Sequence, residues 1–310
     1  MEIPLIVIAG PTCTGKSATA VRLAKAVGGE VVSADSMQVY RGMDIGTAKI
    51  AHQEMDGIPH HMIDILDPTE AMNVNSFALK AIGCIEDIRL RDRVPIVVGG
   101  TGFYIESILF VTPECDQGID RDYRQRLKKR AEKGELAQLY SELEAKDPEY
   151  AVTVHSNNRM RVIRALEYIH ATGRPYSEYA MHGPAEKRFP FRCFVLDDDR
   201  RALYSRIDER VDRMISDGLE EEVRRLIGMG VEEDSVSMQG IGYRQMYDRI
   251  VDGIPIDDTI RDIKNATRHF AKRQLTWFRH RDYSEWIDIS EFGRGPESIS
   301  KRIMNMIGQE

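Results

Sequence analysis

The chain has 310 residues, 43 of them basic and 50 acidic, for a formal net charge of −7, a balance that excludes coating a polyanion by bulk charge. Hydrophobic residues make up 42% and charged ones 30%, and no apolar run approaches the ~20 residues of a membrane span. Four scattered cysteines, Cys13, Cys84, Cys115 and Cys193, form no Cys-x-x-Cys pair, which speaks against a disulfide scaffold or zinc ribbon and points to a reducing, cytoplasmic setting.

The opening apolar run has no basic n-region and stops too soon for a signal peptide, so it reads as a buried strand over 3–9. Further strands are predicted at 30–34, 62–65 and 94–98, with helices over Lys16 to Val27 and from a cap at Asn75-Ser76 to Arg91. Cys193 to Leu196 gives a fifth apolar run, but only after a long, charged, helix-like interval. Helices follow over Arg206 to Ile227 and Asp257 to His280. The alternation predicts an α/β fold: a P-loop NTPase-like parallel sheet flanked by helices, with a helical insertion domain. The catalytic core is expected over 1–112 and 190–310, and the insertion over 113–189.

Gly10-Pro11-Thr12-Cys13-Thr14-Gly15-Lys16-Ser17 satisfies G-x-x-x-x-G-K-[ST] between a strand and a helix. In that setting backbone N–H groups and the helix N-terminus face a diphosphate, Lys16 adds charge, and the Ser17 hydroxyl suits Mg²⁺. The loop does not say what the diphosphate carries. Asp35 follows the second strand, where α/β sheets place their ligand crevice, and reads either as a base or as a turn cap. Thr101, after the fourth strand, reads as a crevice hydroxyl or as the cap of the next helix. No strand ends in the Walker-B Asp of ATPases.

Two blocks concentrate the basic charge. Residues 121–133 hold seven basic residues against two acids and read as a solvated face or a nucleic-acid surface. Residues 268–281 interleave Arg268, Lys272, Arg273, Arg279 and Arg281 with Phe270, Trp277 and Phe278, which suits single-stranded or loop RNA. The residues thus admit a P-loop small-molecule or nucleoside kinase using ATP, or a transferase acting on a nucleic acid with diphosphate as leaving group. Two basic helical segments favour the second.

Ordered segments along the chain resemble the bacterial tRNA dimethylallyltransferase (tRNA isopentenyltransferase) family. They are the phosphate loop, Asp35-Ser36-x-Gln38-Val39-Tyr40 through Lys49, Pro59 to Asp64, Val98 to Tyr104, Arg161-x-x-Arg164-Ala165-Leu166-Glu167, Gln239 to Arg244, and Lys272-Arg273-Gln274-x-Thr276-Trp277. The resemblance implies transfer of a dimethylallyl group from dimethylallyl diphosphate to N6 of the adenine 3′ of the tRNA anticodon. It implies Asp35 as base, Thr101 as its helper, and Arg210 with Lys16 on the diphosphate. The anticodon stem-loop would be met by Asp35, Ser36, Met37, Gln38, Thr101, Arg124, Arg161, Arg164, Gln239, Arg244, Lys272, Arg273, Gln274, Trp277 and Arg279. The chain departs from the family at His155-Ser156-Asn157-Asn158 and Met160, ahead of and beside Arg161, and lacks the eukaryotic members' zinc finger. His60-His61 has no accompanying ligand cluster and reads as structural. A monomer is expected, with no membrane association.

Overall fold

The computed structural model describes residues 4–111, 120–182 and 186–308. Leu5–Ala9 forms β1, five consecutive residues with no exposed surface. Apolar on both faces, such a run must be covered on both, as central parallel strands are. The phosphate loop leads into α1 (Lys16–Val27), which stops at Gly28, whose left-handed φ of 67° lets its N–H bond the Ala24 carbonyl. β2 (Gly29–Ser33), β3 (His60–His61), α2 (Val74–Leu90), β4 (Val94–Gly99) and α3 (Gly102–Leu109) follow. Asn73 caps α2, its side-chain oxygen accepting the Ser76 N–H at 2.9 Å, so Asn75 and Ser76 lie inside the helix instead of capping it. The strand expected at 62–65 is displaced. β3 ends at His61 because Met62 and Asp64 take φ of 63° and 55°, which no strand accepts.

Leu109–Arg188 forms a separate compact unit. Its described helices are α4 (Arg121–Glu132), α5 (Leu136–Lys146), α6 (Pro148–Ala151), α7 (Arg159–Thr172) and α8 (Tyr176–His182). Leu127, Leu139, Leu143, Val162 and Leu166 give it a core of its own. At its base the Val111 N–H donates to the Glu186 carbonyl and the Arg188 N–H to that of Leu109, so outgoing and returning chain pair directly. Cys115 lies outside the described residues.

The other unit resumes at Phe189. It adds β5 (Phe191–Asp197), α9 (Arg200–Ser216), α10 (Leu219–Gly228), α11 (Tyr243–Asp252), α12 (Ile256–Arg279), β6 (Ser284–Asp288) and α13 (Pro296–Met306). The single helix expected over Arg206 to Ile227 is two, broken at Gly218 with φ of 100°. The six strands form one sheet in the order β3-β2-β4-β1-β5-β6, parallel throughout. This is the α/β, P-loop NTPase-like arrangement read from the alternating runs. Ile6, Ile8, Leu23, Phe194, Ile299 and Ile303 share a core between sheet, α1 and α13. The carboxyl ends of β1, β2 and β4 open onto one crevice. Among the described residues no helix is long and apolar enough to cross a membrane.

Candidate active site

The phosphate loop is built by positions that other residues tolerate poorly. A Cβ on Gly10, whose φ is 132°, would lie 2.4 Å from the Leu196 carbonyl oxygen, and Cys13 itself sits at φ 66°. Inside the loop the Pro11 carbonyl accepts from Thr14 Oγ1 at 2.9 Å and Lys16 Nζ at 2.6 Å. Gly10, Pro11 and Thr14 thus shape the loop from within. From outside, Gln274 Oε1 accepts the Thr12 N–H at 3.1 Å, Arg206 Nε donates to the Cys13 carbonyl at 2.9 Å, and Arg210 Nη1 donates to Thr12 Oγ1 at 2.7 Å. Burial, then the neighbouring Arg210 guanidinium, holds the Lys16 ammonium down at about 8. Two cations therefore converge on a loop that, among the described residues, offers neither a carboxylate ion pair. That is an anion site.

Asp35 faces the loop across a cavity of about 530 Å³. Its Oδ1 accepts the N–H groups of Met37 at 2.9 Å and Gln38 at 3.3 Å, while Oδ2 accepts no hydrogen bond among the described residues. One oxygen therefore caps the turn, as one of the two sequence readings has it, and the other faces the cavity without a hydrogen-bond donor among the described residues. The Gln38 amide is oriented by Ser33 Oγ, which donates to its Oε1 at 3.1 Å, and by the Thr47 carbonyl, which accepts from its Nε2 at 3.4 Å.

Thr101 lines the same cavity at the start of α3. The glycines around it answer to packing. A Cβ on Gly99 would meet the Ala34 oxygen at 2.2 Å, on Gly100 the Gln274 amide at 2.0 Å, and on Gly102 the Trp277 ring at 2.2 Å.

The structure brings Thr12, Cys13, Gly15, Lys16, Ser17, Asp35, Ser36, Met37, Gln38, Thr101, Arg210, Gln239 and Arg273 to this one cavity. Gln274 also lines the cavity but is only 6% exposed, its Oε1 taken by the Thr12 N–H, and Trp277, grouped with it by sequence among the RNA-facing residues, packs on Gly102 and edge-on to Phe103. Phe278 is core, which leaves Phe270 as the basic segment's aromatic at the cavity. Lys272 and Arg244 are exposed outside it, and Arg279 pairs with Asp197 at 3.6 Å. Arg124, Arg161 and Arg164 belong to the other unit, where Arg124 grips Glu167 with Nη2 2.8 Å from Oε2, Arg164 is half-buried and Arg161 is exposed.

Three groups of residues escape sequence reading. Val211, Met214, Ile263 and Phe270 give the cavity an apolar wall from α9 and α12; their helical spacing reads as ordinary core. Arg206 and the buried Glu222 carry no motif. Finally, β5 ends in an aspartate, Asp197, followed by Asp198, a pair that sequence reading passed over when it found no Walker-B Asp at a strand end. Asp198 is spent on Arg206 at 2.5 Å and Arg294 at 2.9 Å, so it does not resemble a metal-holding carboxylate. Among the described residues no cluster of His, Cys, Asp and Glu is placed to hold a metal, and His61 is bound to Glu30 at 2.7 Å.

The IPP transferase family profile matches residues 38–281, and that described as isopentenyl transferase matches residues 2–65. A tRNA dimethylallyltransferase of Geobacillus thermodenitrificans is 43% identical over 98% of this chain and 95% of its own. One from Geobacillus kaustophilus is 44% identical over 95% and 93%. Among solved structures, the tRNA isopentenylpyrophosphate transferase of Bacillus halodurans superposes with a TM-score of 0.72 at 41% identity, covering 99% of this chain and 98% of that one. A eukaryotic dimethylallyltransferase acting on tRNA gives 0.82 at 30% identity, over 97% of this chain and 77% of its own. Matched along nearly its whole length in sequence and in fold, the chain belongs to the IPP transferase family, alongside the tRNA dimethylallyltransferases.

Proposed function

We propose that the protein transfers the dimethylallyl group of dimethylallyl diphosphate to N6 of the adenine 3′ of the anticodon in tRNA. The observation that carries the reading is one cavity holding a cationic phosphate loop, an apolar wall and the free oxygen of Asp35. The diphosphate lies on Thr12 to Ser17, and the isoprenoid against Val211, Met214, Ile263 and Phe270. As N6 bonds to the allylic carbon, the carbon–oxygen bond to diphosphate breaks. Lys16 and Arg210 take up the charge that develops on the leaving group. The nitrogen becomes cationic, and its proton passes to Asp35 Oδ2. Thr101 steadies the amine.

Ser17 is an exposed hydroxyl at the cavity, a hard oxygen donor of the kind Mg²⁺ accepts when substrate phosphates and water complete its shell. Mg²⁺ held there would neutralise charge on the departing diphosphate.

The adenine must leave its stack, which a hairpin loop permits at less cost than a duplex, so the anticodon stem-loop is the partner, met by Ser36, Met37, Gln38 and Gln239. Arg161, Arg244, Lys272 and Arg273 are exposed cations with no ion-pair partner among the described residues, and they hold RNA phosphates. Arg124 and Arg279 already have carboxylates and add less. The test is incubation with dimethylallyl diphosphate and unmodified tRNA, followed by nucleoside mass spectrometry. Isopentenyladenosine is expected; ATP-dependent phosphorylation of a small acceptor, with no prenylated nucleoside, would overturn the reading.

A further inference from the structure

We infer that Glu222 is a positioning residue for the nucleotide being modified, a built-in anion that holds the 44–46 amides and with them the 46–48 wall of the cavity; the inference rests on the prenyl-transfer reading above. Glu222 lies in the first turn of α10 and is 2% exposed. The Arg225 guanidinium stands 3.8 Å off. The carboxylate is instead satisfied by dipoles. Its Oε2 accepts the N–H groups of Asp44 and Ile45 at 3.0 Å each, and its Oε1 accepts that of Gly46 at 3.2 Å and the Tyr243 hydroxyl at 2.6 Å. Three successive backbone amides closed round one anion form the kind of nest that elsewhere captures phosphate. Here the anion comes from the protein. Burial, then the adjacent carboxylate, pushes the Tyr243 phenol well above its usual range, so it stays a donor.

The nest governs the substrate side of the cavity. Gly46, Thr47 and Ala48 form its wall beside Asp35 and Gln38. The Thr47 carbonyl, one residue beyond the nest, fixes the Gln38 amide, and the Gln38 N–H is bonded to Asp35 Oδ1. Glu222 is thereby linked to the base through three amides and one side chain. A second clasp comes from the same helix: Arg225 Nη2 donates to the Gly42 carbonyl at 2.9 Å. The wall has no slack, since a Cβ on Gly46 would fall 2.5 Å from the Tyr243 ring. None of these hydrogen bonds involves the phosphate loop, so loosening them falls on the nucleotide and spares the diphosphate.

The test is steady-state kinetics with dimethylallyl diphosphate and an unmodified tRNA transcript, rates being normalised to active sites counted by diphosphate binding. Glu222→Gln keeps the shape, but its amide nitrogen accepts nothing, which strands part of the nest. It is expected to raise the tRNA KM at least about tenfold and to lower kcat, with the diphosphate KM within about twofold. Arg225→Ala, a change at an exposed residue, decides if Glu222→Gln does not fold; it shifts the same KM the same way by about two- to threefold while lowering Tm by no more than about 5 °C. A fall in active fraction with both KM values unmoved, or an equal rise in both, overturns the inference. Wild-type transfer with an unshifted tRNA KM in the variants sinks this inference alone, whereas no transfer by the wild type overturns the functional reading and takes the inference with it.

Discussion

At Asp35 the division of labour between its two oxygens sets what a substitution does. Asparagine keeps an acceptor for the Met37 and Gln38 amides, so Asp35→Asn preserves the turn while abolishing proton acceptance. Single-turnover transfer is expected to fall at least ~100-fold with tRNA affinity retained in a filter-binding assay. Near-normal transfer would remove Asp35 as the base. Lys16 gives a pH signature. Its ammonium titrates near 8 in the free protein, and a bound diphosphate stabilises the charged form and raises that value. The ligand therefore selects protonated Lys16. Calorimetric affinity for dimethylallyl diphosphate should be level below pH 8 and weaken by up to ~tenfold per unit above it. Lys16→Arg, charged throughout, should flatten that slope.

These two residues are legible in the sequence because their chemistry is local: a glycine loop before a helix, and an aspartate after a strand. Arg210 is legible only through the family resemblance, since by itself it is a helix-face arginine whose meaning depends on meeting Thr12 across the fold. Glu222 is still less so. In the run Glu220-Glu221-Glu222 nothing distinguishes the one glutamate that is buried.

Among the elements, α12 shows how a helix serves the site without donating chemistry to it. It spans Ile256–Arg279, with Asp257 and Asp258 in its first turn and Arg279 in its last, matching the helix dipole. Its Gln274 reaches the phosphate loop while its amide nitrogen occupies the space above Gly100. A methyl at Gly100 must expel that amide, so Gly100→Ala and Gln274→Ala break the same Thr12 bond. Each is expected to cost about 1–3 kcal/mol by urea denaturation. The double variant should cost clearly less than their sum, because the bond is lost only once. Full additivity would show that Gln274 does not brace the loop.

Periodicity reveals the central strands and α1 because apolar runs announce them. It misses β6, Ser-Glu-Trp-Ile-Asp, where Ile287 alone is buried. The turns at Met62, Asp64 and Gly218 defeat element boundaries in the same way, since a positive φ leaves little trace in hydropathy.

For the whole molecule, charge is distributed and not averaged. In the basic segment Arg268 and Arg281 are neutralised by Asp208 and Glu106, and Arg279 by Asp197, which leaves Lys272 and Arg273 exposed. In the other unit Arg130 pairs with Glu135 and Glu142, whereas Arg161 has no ion-pair partner among the described residues. A count of basic residues therefore overstates the unpaired positive charge on these faces, and the net of −7 understates it. Charge reversal at Arg161 or Arg273 is expected to weaken tRNA binding and to lower the slope of log affinity against log salt by about 1 each. An unchanged slope for either would take that residue out of the interface.

The pairing at the neck of the Leu109–Arg188 unit has a consequence for biosynthesis. β1 is hydrogen-bonded on one side to β4 and on the other to β5, yet about ninety residues separate those partners along the chain. A ribosome adding roughly 5–20 residues per second leaves one flank of the sheet's central strand open for about 5–20 s. During that wait the intervening segment can assemble on its own Leu127–Leu166 core. Once Glu186 and Arg188 bond back to Val111 and Leu109, the returning chain is delivered beside its starting point, ready to close the vacant edge before another nascent chain can.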